Sequence, residues 1–269
     1  MRLWVRTASG IALLAVLGVA LEMGSGYLAA LVVLAAALGL LEYRRLWRAA
    51  GLLPNLLVLA PLSAFWVLRY AYPTVPAAGV GLTAGALAGM ALTLLSRPDS
   101  RPVARWAVAF GGAVWIGYLA GFLPLLYRSA HSRGAEVVLL AVGVSVLGDT
   151  GAYLVGSRLG RHPFFPRISP SKTWEGAAAG FLLPALAVTA LLPLALPGLS
   201  WGVAALVAAT CSLAAIAGDL AESQLKRELG VKDSGRLIPG HGGILDRVDS
   251  LLFVAPVMYS LLVAAGALR

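Results

Sequence analysis

The sequence predicts an all-α, polytopic integral membrane protein with about nine transmembrane helices, its N-terminus in the cytoplasm and its C-terminus outside. Hydrophobic residues make up 59% of the 269 residues, and the mean hydropathy is +0.86. Charged residues make up only 12% of the chain, against about 25% in an ordinary soluble domain. A soluble fold could not bury this many apolar side chains, so lipid is the predicted solvent for most of the protein.

Apolar segments of roughly the length that crosses a bilayer, about 20 residues, define the predicted helices. Arg2 and Arg6 precede the first segment and would also suit a signal peptide. A second apolar segment follows after a very short loop, however, which favours an uncleaved first helix. The predicted spans are Ala8–Leu21, Gly26–Leu41, Leu52–Leu68, Ala77–Leu95, Trp106–Tyr127, Glu136–Val155, Gly176–Leu196, Trp201–Gly218 and Leu251–Leu268.

Basic residues determine the predicted orientation of these helices. With the N-terminus in the cytoplasm, all but four of the 21 Lys and Arg fall in cytoplasmic segments, as the positive-inside rule requires. The four outside are Arg69, Arg128, Arg133 and Arg269. The net charge of +9 is therefore attributed to topology and to anionic headgroups, not to nucleic-acid binding. The single cysteine, Cys211, cannot form an intrachain disulfide and is predicted to be buried.

The acidic residues indicate where the chemistry lies. Most of the 12 Asp and Glu fall between Asp149 and Asp249. Residues 1–130 are therefore predicted to be a scaffold of transmembrane helices that could also provide lipid access or a dimer surface. Residues 131–269 are predicted to form the catalytic transmembrane domain, with cytoplasmic loops at 156–175 and 221–249.

The most charged stretch of the chain follows the eighth span and reads S-Q-L-K-R-E-L-G-V-K-D-S-G-R-L-I-P-G-H-G-G-I-L-D-R-V-D, residues 223–249. Charge at the end of membrane-length segments is expensive and indicates function. If the eighth helix continues beyond the membrane, Asp219, Glu222, Ser223 and Lys226 share one of its faces.

The second half of this stretch has the composition of a metal–phosphate site. Asp246 and Asp249 are three residues apart, in the first turn of the ninth span if that helix starts near Leu245, and a helix N-terminus favours anions. The glycines of P-G-H-G-G, residues 239–243, would let backbone amides approach a phosphate. Carboxylates at this spacing suit Mg²⁺, which takes few protein ligands alongside substrate phosphates. The nearby cations are Lys226, Arg227, Lys232, Arg236 and Arg247.

A second polar patch combines G-D-T-G-A-Y, residues 148–153, with S-P-S-K-T-W-E-G, residues 169–176. Asp149 could bind a metal or a nucleotide hydroxyl, and Lys172 could reach a phosphate. Glu175 in the first helical turn would equally serve as a capping-box partner. The S-K-T triplet lacks the preceding glycines of a P-loop, which excludes a Walker site.

Residues 223–249 resemble the signature of the phosphatidate cytidylyltransferase (CDP-diacylglycerol synthase) family, S-x-x-K-R-x-x-x-x-K-D-x-G-x-x-x-P-G-H-G-G-x-x-D-R-x-D, at every fixed position. The second patch also resembles that family, whose motif often reads S-P-K-K-T; here Ser171 replaces the first lysine. The resemblance is sharp over residues 149–250, whereas the N-terminal half agrees only in hydropathy.

This resemblance implies an enzyme that condenses CTP with phosphatidic acid to give CDP-diacylglycerol and pyrophosphate, with Mg²⁺ as cofactor and a second cation as an option. The implied catalytic residues are Asp219, Lys226, Asp246 and Asp249, with the three aspartates as metal ligands. It further implies a homodimer in a bacterial-type inner membrane, an active site that faces the cytoplasm, and membrane lipid but no nucleic acid as a partner. The implied substrate-binding residues are Asp149, Lys172, Ser223, Arg227, Lys232, Asp233, Gly240, His241, Gly242, Gly243 and Arg247.

Two other function classes stay open on the sequence: another membrane phospholipid phosphotransferase, and an ion-coupled transporter. CDP-alcohol phosphatidyltransferases carry a D-G-x-x-A-R string, which this sequence lacks. Transporters place ion-binding acids near the bilayer midplane, whereas the acids here fall near the predicted cytoplasmic ends of helices.

Overall fold

The computed structural model describes residues 3–71, 78–95, 101–235, 237 and 242–268, and these residues form helices without any strand. The predicted all-α class is confirmed for this part of the chain. The helices are α1 Leu3–Met23, α2 Ser25–Ala49, α3 Leu56–Ala71, α4 Ala78–Thr93, α5 Pro102–Gly112, α6 Phe122–Ser129, α7 Gly134–Leu159, α8 Trp174–Ala195, α9 Trp201–Glu228 and α10 Leu245–Ala264. A π-helical segment, Ala113–Tyr118, joins α5 to α6, and a short 3₁₀ turn, His131–Arg133, precedes α7.

Six helical segments among the described residues are long and apolar enough to cross a membrane, which makes this an integral membrane protein. Three shorter apolar helices, Ala8–Met23, Val58–Tyr70 and Thr83–Thr93, lie where the first, third and fourth spans were predicted. The count of nine spans and the orientation of the termini stay predictions. The six long segments are Ser25–Ala49, Pro102–Ser129, His131–Leu159, Trp174–Ala195, Trp201–Glu228 and Leu245–Ala264.

Two helix ends differ from the predicted boundaries in a way that affects the site. Helix α9 continues past Gly218 to Glu228, and α10 begins at Leu245 instead of Leu251. Both ends of the predicted 221–249 loop are therefore helical. The extension of α9 is stable because its polar residues pair along the helix, as Lys226 does with Glu222 at 2.8 Å.

The chain divides into two compact units. The first consists of Met1–Pro124 and Asp233–Asp246, and the second of Leu125–Lys232 and Arg247–Arg269. In the first unit, α2, α3 and the π-helical segment surround a core that contains Trp66, Leu28 and Leu59, all fully buried. The Trp66 ring packs edge-on against Tyr118, with 5.3 Å between ring centroids.

In the second unit, α7, α8 and α9 pack through small residues. A Cβ atom added at Gly151 would lie 2.8 Å from the Ala179 carbonyl oxygen, and one added at Gly180 would lie 2.9 Å from the Gly148 carbonyl oxygen. The backbones of α7 and α8 are therefore in direct contact, as small residues permit between membrane helices. Helix α9 approaches α10 in the same way at Gly218, where a Cβ would lie 2.6 Å from the Asp249 carbonyl oxygen.

Candidate active site

Carboxylates from three helices of the second unit converge near the charged end of α9. Asp249 of α10 is buried, with 8% of its surface exposed, and lies within electrostatic range of Glu222, Asp219 and Asp149. The continuation of α9 places Asp219 and Glu222 on one helical face, as predicted. The close approach of α10 at Gly218 brings Asp249 to that face.

These carboxylates do not form a ready-made metal cage. Within the described ranges, no group of three or more His, Cys, Asp and Glu side chains is arranged to hold a metal ion. Cations instead pair with the acids one by one: Lys172 Nζ donates to Asp219 Oδ2, and Lys226 Nζ donates to Glu222 Oε2 at 2.8 Å. Ser223 lies beside this cluster, with its Oγ atom 3.5 Å from Asp219 Oδ1.

Lys172 reaches Asp219 because the connection between α7 and α8 folds back on itself. The Phe164 N–H donates to the Lys172 carbonyl oxygen at 2.8 Å, and Pro163 forms a bridge with Thr173. The Thr173 hydroxyl then accepts from the Gly176 N–H at 3.2 Å and caps α8. These contacts fix the backbone at Lys172, from which the side chain extends to Asp219.

Glu175 stabilises the other end of this connection and is not a capping-box partner. Its Oε2 atom accepts from the N–H groups of Arg161 and His162 at 3.1 and 3.3 Å. The sequence interpretation as a capping box was wrong, since Glu175 is the second residue of α8 and a capping box needs the third.

A surface groove lies along a different face of α9. Its volume is about 580 Å³, and it is lined by Phe165, Pro166, Arg167, Ile168, Gln224, Arg227 and Glu228. The Arg227 Nε donates to the Ile168 carbonyl oxygen at 2.9 Å, which fixes one side of the guanidinium and leaves an exposed side chain at the groove. Arg247, at the start of α10, is exposed and lies within electrostatic range of Asp149.

In the first unit, Asp246 binds Ser234 and Gly243. Its Oδ2 atom accepts from the N–H groups of Ser234 and Gly243, at 3.1 and 2.8 Å, and from the Ser234 hydroxyl at 2.8 Å. Gly242 has φ of +79°, a backbone conformation that favours glycine. The Gly243 amide was predicted to bind phosphate, but here it donates to Asp246.

The other predicted site residues stand as follows. Lys232 and Asp233 are exposed in the segment after α9. Gly240 and His241 lie outside the described residues, as does Arg236. The structure thus brings together Asp149, Lys172, Asp219, Ser223, Lys226 and Asp249 within the second unit, and Gly242, Gly243 and Asp246 within the first.

One residue of the first unit was missed by the sequence analysis. Glu42 of α2 is 2% exposed, and its carboxylate accepts from the N–H groups of Ile244 and Leu245 at 3.1 and 3.0 Å. The signal was present in the sequence: Glu42 is a lone acid within a long apolar helix, and such residues are functional candidates by default.

In chemical terms, the second unit offers partly buried carboxylates next to lysines that are already oriented. Such a combination suits phosphorylated substrates together with a hard divalent cation.

Comparison with known proteins agrees with the motif. A model of the cytidylyltransferase family matches residues 4–265. A phosphatidate cytidylyltransferase of Mycobacterium leprae is 44% identical over 150 residues, 56% of this chain and 47% of the relative. One of Staphylococcus aureus is 42% identical over 139 residues, 52% of this chain and 54% of the relative.

A third relative, the phosphatidate cytidylyltransferase of Thermotoga maritima, is 36% identical over 211 residues, 76% of this chain and 74% of the relative. The chain thus spans about half the length of the first two relatives and about three quarters of the third. Since the family match extends over nearly the whole sequence, the chain belongs to the cytidylyltransferase family.

Proposed function

We propose that this protein is a phosphatidate cytidylyltransferase, which condenses CTP with phosphatidic acid to give CDP-diacylglycerol and pyrophosphate. The observation that carries the proposal is the cluster of Asp219, Asp249 and Asp149 on apolar, membrane-length helices, with Lys172 from the connection before α8. A reaction between a soluble nucleotide and a lipid phosphate needs anion-binding groups at the level of the headgroups. Family membership supports this choice of reaction.

The reaction requires the phosphate of phosphatidic acid to attack the α-phosphorus of CTP. A new P–O bond forms there, the bond to the bridging oxygen of the β-phosphate breaks, and pyrophosphate leaves. The lipid phosphate is itself the nucleophile, so no covalent enzyme intermediate is needed. Positioning and charge stabilisation supply most of the catalysis in such transfers.

The chain's own cations would perform that positioning. Lys172 and Lys226 are held at the carboxylate cluster by their present partners, and both could turn to phosphate oxygens when substrate arrives. Arg227 borders the groove beside α9, where its guanidinium could orient a phosphate while its Nε stays bonded to Ile168. We assign CTP phosphates to these three residues.

Magnesium is the cofactor we propose. The donor chemistry fits, because Asp219 and Asp249 supply hard carboxylate oxygens and Asp149 adds a third negative charge. These partly buried carboxylates repel one another, and a bound cation would relieve that repulsion. When bound, Mg²⁺ would neutralise charge on the phosphates. Lys172 now supplies the positive charge at Asp219 and would release that carboxylate to the metal. Asp246 remains a predicted ligand, and a second cation remains an option.

The proposed setting is a bacterial-type inner membrane, with nine spans, the N-terminus in the cytoplasm and the C-terminus outside. The distribution of Lys and Arg supports this orientation, which puts the carboxylate cluster at the cytoplasmic face, where CTP is available. We also propose a homodimer, on the family resemblance alone.

The direct test is pyrophosphate release by the purified protein in detergent or liposomes. CTP, phosphatidic acid and Mg²⁺ would each be omitted in turn, and lipid products would be separated in parallel. The proposal predicts release only when all three are present, with equimolar CDP-diacylglycerol. Release without phosphatidic acid, or no release by protein that is folded in liposomes, would contradict it.

A further inference from the structure

Glu42 is a buried carboxylate of the first unit. It lies on α2, 2% exposed, between neighbours such as Leu40 and Tyr43 that are also buried. A buried carboxylate without hydrogen-bond donors would be strongly destabilising, so donors must compensate for the loss of its hydration. The hydrogen-bond partners of Glu42 lie 192 to 203 residues further along the chain.

The partners are the groups that begin helix α10. Oε1 accepts from the Ile244 N–H at 3.1 Å, and Oε2 accepts from the Leu245 N–H at 3.0 Å. These N–H groups stand at the helix start, where amides have no partner within the helix and the dipole is positive. Ile244 has no polar side chain with which to cap the helix locally. Glu42 therefore acts as an N-cap supplied by a distant helix.

The same carboxylate extends to the residue that precedes the glycine-rich segment. Glu42 Oε2 lies 3.3 Å from the Ser234 hydroxyl, which also lies 2.8 Å from Asp246 Oδ2. Ser234, Ile244 and Leu245 thus all contact the same buried carboxylate, that of Glu42. The space around it is filled, since a Cβ added at Gly235 would lie 2.5 Å from Glu42 Oε1.

We propose that Glu42 is a positioning residue for the start of α10 and for Asp246. It fixes where α10 begins, and that determines where the second residue of the helix, Asp246, presents its carboxylate. The consequence for CTP rests on the proposed function, whereas the effect on the start of α10 does not. A residue of the N-terminal half thereby becomes part of the catalytic apparatus, although it touches no reacting atom.

The test variant is Glu42→Gln, which keeps the size of the side chain. Its amide has a single acceptor oxygen, and its NH₂ group would face an N–H donor of α10. We expect kcat/KM for CTP to fall about tenfold or more, the loss typical of charged hydrogen bonds, with KM for phosphatidic acid unchanged. Hydrogen exchange at the amides of residues 243–245 should become faster.

Two controls separate positioning from a general loss of stability. Glu22→Gln changes an exposed carboxylate on α1 and should leave both readouts unchanged. Val32→Ala removes buried apolar volume from α2, away from the segment, and should lower thermal stability without changing KM for CTP. Equal kinetic defects in Val32→Ala and Glu42→Gln would overturn the proposal.

Ser234→Ala covers the case in which Glu42→Gln does not fold. It removes the hydroxyl that lies between Glu42 and Asp246 but keeps the Ile244 and Leu245 amides bonded to Glu42. Exchange at residues 243–245 should therefore stay slow, while kcat/KM for CTP falls by a smaller factor. Unchanged exchange and unchanged CTP kinetics in a folded Glu42→Gln would refute the role. If the wild-type protein lacks cytidylyl transfer, the proposed function fails, but exchange at residues 243–245 still decides whether Glu42 orders the start of α10.

Discussion

Replacing Asp219 with Asn should separate activity from stability. The substitution removes the ion pair with Lys172, whose side chain and that of Asp219 are 27% and 30% exposed. A partly exposed pair contributes at most about 1 kcal/mol to the free energy of unfolding. The substitution also removes repulsion from Asp149 and Asp249, which offsets that loss. We expect stability to change by less than about 1 kcal/mol.

Turnover should respond far more strongly to the same change. If the Asp219 charge orients Lys172 and holds the cation, its removal should lower kcat at least about a hundredfold, equivalent to about 2.7 kcal/mol of transition-state stabilisation. The assay is pyrophosphate release at saturating CTP and lipid, alongside thermal unfolding in the same detergent.

The matched control for this experiment is Glu136→Gln. It also removes an ion pair of the second unit, the 3.1 Å contact between Glu136 and Arg133 at the start of α7. Both quantities should stay near wild type in that variant. Turnover by Asp219→Asn within about threefold of wild type, less than 1 kcal/mol in the barrier, would refute the role of this carboxylate.

Three further substitutions test other parts of the site. Gly218→Ala should lower stability by roughly 1–3 kcal/mol and reduce turnover, because the added Cβ would press on the Asp249 carbonyl oxygen. The control is Gly202→Ala, where the added Cβ would lie in open space on the same helix. Equal melting temperatures for the two variants would contradict the expectation. Arg227→Gln should raise KM for CTP about tenfold with little change in KM for lipid; a selective rise in KM for lipid would assign the groove to phosphatidic acid. Asp246→Asn should reduce turnover and also speed hydrogen exchange at the Ser234 and Gly243 amides, since the new side-chain amide would face these N–H donors. Loss of turnover with unchanged exchange would mean that Asp246 contributes only its charge to turnover.

Membrane character and helical class followed directly from the sequence. Helices satisfy every backbone hydrogen bond within one segment, so apolar composition and length determine them without knowledge of partners. The shared face of Asp219 and Glu222 also followed, because it depends only on helical periodicity. The start of α10 at Leu245 was only a condition for the site in the sequence, because the predicted apolar span itself begins at Leu251.

Long-range contacts were beyond the sequence. Nothing in the spacing of residues indicates that Lys172 pairs with Asp219, that Asp246 binds Ser234 and Gly243, or that Glu175 organises the connection before α8. Each contact depends on how the chain folds back on itself, and a one-residue shift in packing would alter it.

Glu42 shows this division most clearly. The sequence determined that a lone carboxylate lies in an apolar helix, and physical chemistry required it to have partners. Only the tertiary structure decided that those partners are the first amides of α10 and Ser234. Local patterns determine helices, faces and membrane spans because their energies are local. The partners of a buried charge depend on which distant backbone groups the packed helices bring within 3 Å or so of it.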